Sequence, residues 1–168
     1  MGDVSRPTEV PPPGEDIRIE PVRWSDIPAL ADLQRASFRP GLAYGRFALI
    51  TLKLTPGVRF LVARTTDRPV AGCIIGDRHR GDARVMNIAV HPDARRRGIG
   101  ARLLRALETA LPLGDVVLMA EEPNRGAQAL YEQEGYVRTG RVPNYYGRGR
   151  NGIAMRKRRT TVPTTISV

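Results

Sequence analysis

The chain has 168 residues, 41% of them hydrophobic, and a formal net charge of +10. That length suits one packed domain rather than two of ordinary size, and the apolar fraction excludes wholesale disorder. Lys53 and Lys157 are the only lysines, so 25 of the 27 basic residues are arginine, a bias that suits phosphate or carboxylate contacts and equally fits genome composition or a hot habitat.

Residues 1–16 are Pro-rich and polar, with too little apolar surface to offset the entropy of ordering them, and are expected to form a disordered tail. No apolar signal segment is present there, and Arg6 stands where a myristoylation pattern starting at Gly2 needs Ser or Thr. A domain is expected over 17–157. IRIEPVRW reads as a strand and SDIPALADLQRASF as a helix, with Ser25 as its N-cap and Ile27, Leu30, Leu33 and Phe38 near one face. RPGLAYGRFALITLKLTPG leaves a short helix open, broken up by Gly41, Gly45 and Gly57. VRFLVART and PVAGCIIGDRH form a hairpin across Asp67, Arg68 and Pro69, with the one cysteine, Cys73, read as a small buried residue. ARVMNIAVH is the next strand, and GARLLRALETAL a helix whose stripe is Leu103, Leu104, Leu107 and Leu111. DVVLMA is nearly all apolar, the pattern of a strand buried on both faces. Asn124 can cap RGAQALYEQE, in which Ala127, Leu130 and Tyr131 share a face and Gly135 supplies the stop. YVRTGR and GIAMRK close the domain as two strands around VPNYYGRGRN, and 158–168 is expected to be a flexible basic and Thr-rich tail. A mixed sheet flanked by helices is the consistent picture. No apolar run approaches the roughly 20 residues that span a bilayer. A cytoplasmic monomer or homodimer is expected, without membrane partner, metal site or specific nucleic acid.

The stretch HPDARRRGIGARLLRALE holds the strongest chemical signal. A strand ending at Val90 runs through Arg95, Arg96, Arg97, Gly98, Ile99 and Gly100 into a helix. The first turn of any helix has N–H groups without internal partners, and its dipole adds roughly half a positive charge there. Glycines at 98 and 100 let that backbone approach an anion, and the arginines add charge around it. A solvated basic loop capping an ordinary helix stays open on spacing alone. Nucleic acid is a weaker competitor, because the run lacks interleaved aromatics. A dinucleotide fingerprint fails for want of a third glycine three residues on, and a Walker loop fails for want of Gly-Lys-Ser/Thr.

The segment resembles motif A of the GNAT acetyltransferase superfamily, whose pattern Gln/Arg-x-x-Gly-x-Gly/Ala is met by Arg95, Gly98 and Gly100. NRGAQALYEQEGY is similar to the motif that follows the next strand in that family, and the resemblance covers about Ile17 to Lys157. Together, NIAVHPDARRRGIGARLL and NYYGRGRNGIAMRK look most like the ribosomal-protein alanine N-acetyltransferases and the protein N-terminal acetyltransferases. The resemblance implies an α/β (α+β) fold with a mixed sheet of six to seven strands and about four helices. It implies acetyl-CoA as the acetyl source, with its pantetheine and acetyl carbonyl along the backbone of Ile88, Ala89 and Val90. Its pyrophosphate would lie on N–H groups from Arg95 to Ala101, and Asn124 would touch the cofactor arm. Tyr131 would be the acid that protonates the leaving thiolate.

The reaction implied is direct attack of a neutral amine on a thioester, which needs a base, a donor for the developing oxyanion and a proton for the thiolate. The glutamate that the resembled enzymes carry on the preceding strand corresponds to Met119, which accepts no proton. Glu121, two residues on, shares its side if the strand continues and could act directly or through water. Glu122, Asp77 and His79 are weaker candidates, and Asn87 could hold a relay water. An α-amine with a pKa near 8 needs about one unit of help at pH 7, roughly 1.4 kcal/mol, whereas a lysine near 10.4 needs about 4.6 kcal/mol. A displaced base therefore suits an α-amine. By resemblance, the acceptor slot falls at Phe38–Arg46, including Tyr44, and at 142–151, including the paired Tyr145 and Tyr146. The family's acidic residue after this second loop appears here as Asn151. The expected acceptor is a protein or peptide N-terminus, and a ribosomal protein would bring the chain to the ribosome. Acetylation of a small-molecule amine or lysine, CoA binding with little turnover, and docking on RNA are the competing readings.

Overall fold

The computed structural model describes residues 16–159, so most of both expected tails lies outside the described residues. In chain order the elements are β1 (Arg18–Pro21), α1 (Ile27–Ser37), α2 (Arg46–Leu54), β2 (Arg59–Arg64), β3 (Gly72–His79), β4 (Asp82–Val90), α3 (Ile99–Ala110), β5 (Val116–Glu121), α4 (Arg125–Gln133), β6 (Val137–Val142) and β7 (Gly152–Lys157). The strands form one sheet in the order β1-β2-β3-β4-β5-β7-β6. All neighbours are antiparallel except β4 and β5, the pair that the α3 crossover connects. Seven strands and four helices match the expected fold class. Among the described residues no helix is long and apolar enough to cross a membrane.

Apolar layers fill both faces of the sheet. On one, Leu103, Leu104 and Leu107 of α3 and Leu111 just after it pack with Tyr131, Tyr136 and Met155. On the other, Leu30 and Leu33 of α1 and Leu49 of α2 pack on Val62, Cys73 and Ile75. Cys73 is fully buried, and burial pushes its thiol up to about 12, so it carries no reactive thiolate. A bidentate ion pair sits at the edge of this layer, with Arg64 Nη1 and Nη2 donating to Asp26 Oδ1 and Oδ2 at 3.0 and 2.8 Å.

Two local expectations are corrected. Ser25 is not the cap of α1. It lies inside a 3-10 turn at Trp24–Asp26, and Asp26 precedes the helix while its Oδ2 accepts the Arg23 N–H at 2.7 Å. β5 is not buried on both faces. Val116, Leu118 and Ala120 are buried against α3 and α4, whereas Val117, Met119 and Glu121 are only partly covered, because α1 and α2 pack over β2–β4 and leave this side of β5 open. Ordered contacts also run two residues past 157. Arg159 donates to the carbonyls of Glu108, Leu113 and Gly114 at 2.6–2.9 Å, closing the C-terminal end of α3.

What positions the site is the way β4 and β5 part. They pair over only three residues, Ala83–Val85 with Val116–Leu118. There β4 also carries a bulge, since Ile75 opposes Asn87 but Gly76 opposes Val85, leaving Met86 as the extra residue. A bulge bends its strand and raises local twist. Beyond it, β4 no longer pairs with β5, and the two ends splay.

Candidate active site

A cleft of about 1470 Å³ opens in the splay. It is lined by the N-terminus of α3, by Tyr131, and by Tyr44, Met119 and Tyr145.

At the helix end, Arg96 (φ 65°) and Gly98 (φ 76°) are both left-handed, a backbone arrangement that turns successive N–H groups into one concavity. The first helical bond is Arg102 N–H to the Gly98 carbonyl at 3.1 Å, and no side chain caps α3. The N–H groups of Ile99, Gly100 and Ala101 therefore point outward with the positive end of the dipole behind them. Arg95 and Arg96 are exposed beside them, and Arg95 Nε reaches the Val90 carbonyl at 3.3 Å. Arg97 turns partly away, pairing with Asp67 at 3.0 Å. The two glycines differ in role. Gly98 has open space around it and is required by its positive φ. A Cβ on Gly100 would stand 2.8 Å from Leu130 Cδ2, so this glycine serves the approach of α3 to α4 rather than room for an anion.

Just past β4, the His91 N–H bonds to the carbonyl of Ala71, the residue before β3. Backbone groups alternate sides along a strand, so those of Ala89 also face β3, while those of Ile88 and Val90 face the cleft. Ala89 therefore drops out of the expected backbone trio. Asn124 caps α4, its Oδ1 accepting the Ala127 N–H at 3.1 Å, which leaves its NH2 available. Tyr131 is 5% exposed. No described residue hydrogen-bonds its hydroxyl, and burial pushes the phenol well above its ordinary range, so it keeps its proton.

Glu121 ends β5 on the same face as Met119. Arg150 donates from Nε to Oε1 at 3.0 Å and its Nη2 stands in ion-pair contact 2.9 Å from the same oxygen without hydrogen-bond geometry, while no described residue takes Oε2. Arg150 was not foreseen from the sequence. The loop NYYGRGRN offered only that an arginine so close to a strand start could be turned inward. The other acid candidates are occupied. Glu122 is held at about 2 by Arg141 and Asn151, so it is a weak base, and Asp77 is bound by Arg84 at 2.6 and 2.9 Å. His79 is exposed at the far end of the cleft.

On the acceptor side, Phe38 and Leu42 of the α1–α2 loop lie over Glu121 around a side pocket of about 230 Å³. Tyr145 and Tyr146 stack edge to face at 4.9 Å. Tyr146 donates its hydroxyl to the Met119 carbonyl at 2.8 Å, whereas Tyr145 is 54% exposed. Asn87 is not free for a water alone. It exchanges amide bonds with Gln34 at 2.8 and 3.3 Å, and Gln34 Oε1 also accepts the Tyr44 N–H at 3.4 Å. Gln34 is fully buried and ties the acceptor loop to the bulged part of β4. A polar residue on the apolar face of α1 was the signal for it.

Comparisons with known proteins bear on the family and the fold. The acetyltransferase (GNAT) domain family matches residues 56–138. An uncharacterized N-acetyltransferase of Methanocaldococcus jannaschii is 28% identical over 138 residues, covering 80% of this chain and 86% of the relative. The ribosomal-protein-S18-alanine N-acetyltransferase of Escherichia coli superposes with a TM-score of 0.75 at 21% identity, over 90% of this chain and 99% of that one. The spermidine/spermine N-acetyltransferase SpeG of Vibrio cholerae does so at 0.65 and 17%, over 83% and 91%. At those identities the two structures show the fold and leave the acceptor open. GNAT enzymes draw acetyl from acetyl-CoA. The chain belongs to the GNAT acetyltransferases and is an acyltransferase.

Proposed function

We propose that the chain transfers acetyl from acetyl-CoA to the N-terminal α-amine of a protein or peptide. The observation that carries this reading is that one cleft holds an uncapped helix N-terminus, a buried tyrosine with a free hydroxyl, and a glutamate with one free oxygen. The left-handed Arg96 and Gly98, the outward N–H groups of Ile99, Gly100 and Ala101 and the exposed Arg95 and Arg96 fit a diphosphate. The backbone of Ile88 and Val90, unpaired with β5, fits an amide-bearing arm, and the Asn124 NH2 lies beside it. Acetyl-CoA supplies the thioester whose carbonyl the amine attacks.

Tyr131 holds its proton at Oη for the leaving thiolate. Glu121 Oε2 takes the amine proton directly or through a water, while Arg150 fixes Oε1. An α-amine needs far less help from a base at neutral pH than a lysine does. The aromatic mouth formed by Phe38, Tyr44, Tyr145 and Tyr146 suits a chain end more than a polycation, because among the described residues no ring of free carboxylates surrounds it. Gln34, held by Asn87, positions the loop that carries Tyr44.

The test is thiol release from acetyl-CoA with short peptides bearing free N-termini. N-blocked peptides with an internal lysine and a set of polyamines run alongside, as do Tyr131→Phe and Glu121→Gln. Turnover confined to free N-termini and lost in Tyr131→Phe is expected. Turnover on lysine or polyamines alone would move the acceptor to the other class. Tight CoA binding without turnover on any amine would reduce the chain to a binding domain.

A further inference from the structure

The α-amine reading leaves the acceptor's first side chain unassigned, and the floor of the cleft bears on it. Met119, Glu121, Gly152 and Ala154 share one face of the β5–β7 pair, because Met119 opposes Ala154 and Glu121 opposes Gly152. The Met119 side chain does not stand up from the sheet. A Cβ on Gly152 would lie 2.6 Å from Met119 Sδ, 2.8 Å from its Cγ and 3.0 Å from Tyr145 Cβ. The thioether therefore lies flat across the bare backbone of Gly152, with the stem of Tyr145 beside it. Tyr146 fixes the strand beneath through its bond to the Met119 carbonyl at 2.8 Å. The space above is walled by Met86, Tyr44 and the exposed ring of Tyr145 and belongs to the main cleft.

We infer that Gly152 sets the depth of the acceptor slot by letting Met119 lie flat, so that the slot takes a large, unbranched apolar first residue in preference to a small one. This rests on the α-amine reading. The walls are two thioethers and two aromatic rings, surfaces that reward apolar volume and adapt to flexible chains. A small first residue leaves that volume unfilled. The same position explains what Met119 does where the resembled enzymes carry a base: it is the floor.

Replacing Gly152 tests the geometry directly. In Gly152→Ala the new methyl stands 2.6 Å from Met119 Sδ, too close for the thioether to stay where it lies. The sheet lies below and Ala154 beside it, so the flexible end of Met119 moves up into the slot. The experiment measures kcat/KM of the full chain on free-N-terminus pentapeptides identical except for a first residue of Met, Leu, Ala or Ser. Wild type, Gly152→Ala and Gly152→Ala/Met119→Ala are compared, with CoA binding followed by calorimetry in each.

Wild type is expected to favour Met and Leu over Ala and Ser by at least about tenfold, the scale at which pockets discriminate single methylenes. Gly152→Ala is expected to bring that ratio to about threefold or less. The double variant removes the displaced thioether and restores the preference for large residues. A ratio between two substrates is untouched by a mere loss of folded enzyme. Equal or better use of Ala and Ser by wild type, or a ratio unmoved in Gly152→Ala, overturns the inference while leaving the α-amine reading intact. Turnover only on lysine or polyamines refutes that reading, and this one with it.

Discussion

Gly100→Ala probes the packing that holds the N-terminus of α3 in place. The added Cβ meets Leu130 Cδ2 at 2.8 Å. Ordinary carbon contact begins near 3.5 Å, so about 0.7 Å of movement must be found between α3 and α4. Forcing a methyl into a packed contact costs about 1–3 kcal/mol. For a chain of this size that is a melting shift of roughly 2–12 °C. Gly98→Ala is the control, since it meets no atom within 4 Å and costs only its left-handed backbone, about 1–2 kcal/mol. The two are separated by a second change at Leu130, which is half-buried and supplies the three side-chain atoms nearest that Cβ. Thermal melting of the single and double variants, with CoA titrated calorimetrically, reads the outcome. Leu130→Ala is expected to recover at least about 1 kcal/mol in the Gly100→Ala background and nothing in the Gly98→Ala background. CoA affinity in Gly100→Ala falls several-fold and returns with the second change. If Gly100→Ala and Leu130→Ala add within about 0.5 kcal/mol, the assignment of Gly100 to helix packing is refuted.

Tyr131→Phe removes, from a buried ring lining the cleft, a hydroxyl that no described residue hydrogen-bonds, and is expected to lower kcat by about 10²–10⁴, with CoA affinity held within a few-fold. Loss of CoA binding in step with kcat would show that the ring matters only for packing. Asp26→Asn leaves the buried Arg64 without its bidentate partner and is expected to cost about 3–5 kcal/mol in chemical unfolding. The same pair predicts acid sensitivity. Burial opposes the Asp26 charge, yet the Arg64 guanidinium and the Arg23 N–H prevail and hold its carboxyl below the ordinary 3.8. Its stabilisation is therefore complete above that value and lost as pH falls toward the folded-state pKa. Unfolding midpoints between pH 5 and 2 should drop less in Asp26→Asn than in wild type, and parallel curves would count against this account.

The order of the elements was legible because hydrophobic period is strong in most of them. The leucine stripe of α3 and the turn residues of the β2–β3 hairpin left little choice. The helix-terminal cradle was legible too, since few arrangements other than a left-handed Gly98 follow a strand so closely. α2 was not, because RFALITLKL mixes β-branched and aromatic residues, and its helix rests on Leu49 reaching the core. The bulge at Met86 left no mark, as the run ARVMNIAV alternates no worse than a straight strand. Nor did Gly152 or Arg150 announce themselves. Their roles come from a diagonal neighbour and a carboxylate on another strand, contacts that exist only once β5 and β7 have paired.

Arg159 clasps the back of α3 and, through its N–H, Asp115 Oδ1 at 3.1 Å, at the start of β5. Glu121 stands at the other end of that strand, six residues along, so roughly 20 Å separates Arg159 from the acceptor mouth. A fluorophore or surface linker attached at the neighbouring exposed Arg158, through a cysteine put there, starts from the rear of the described fold. Immobilisation through that position leaves the mouth facing solvent, the orientation that surface-based peptide screening requires.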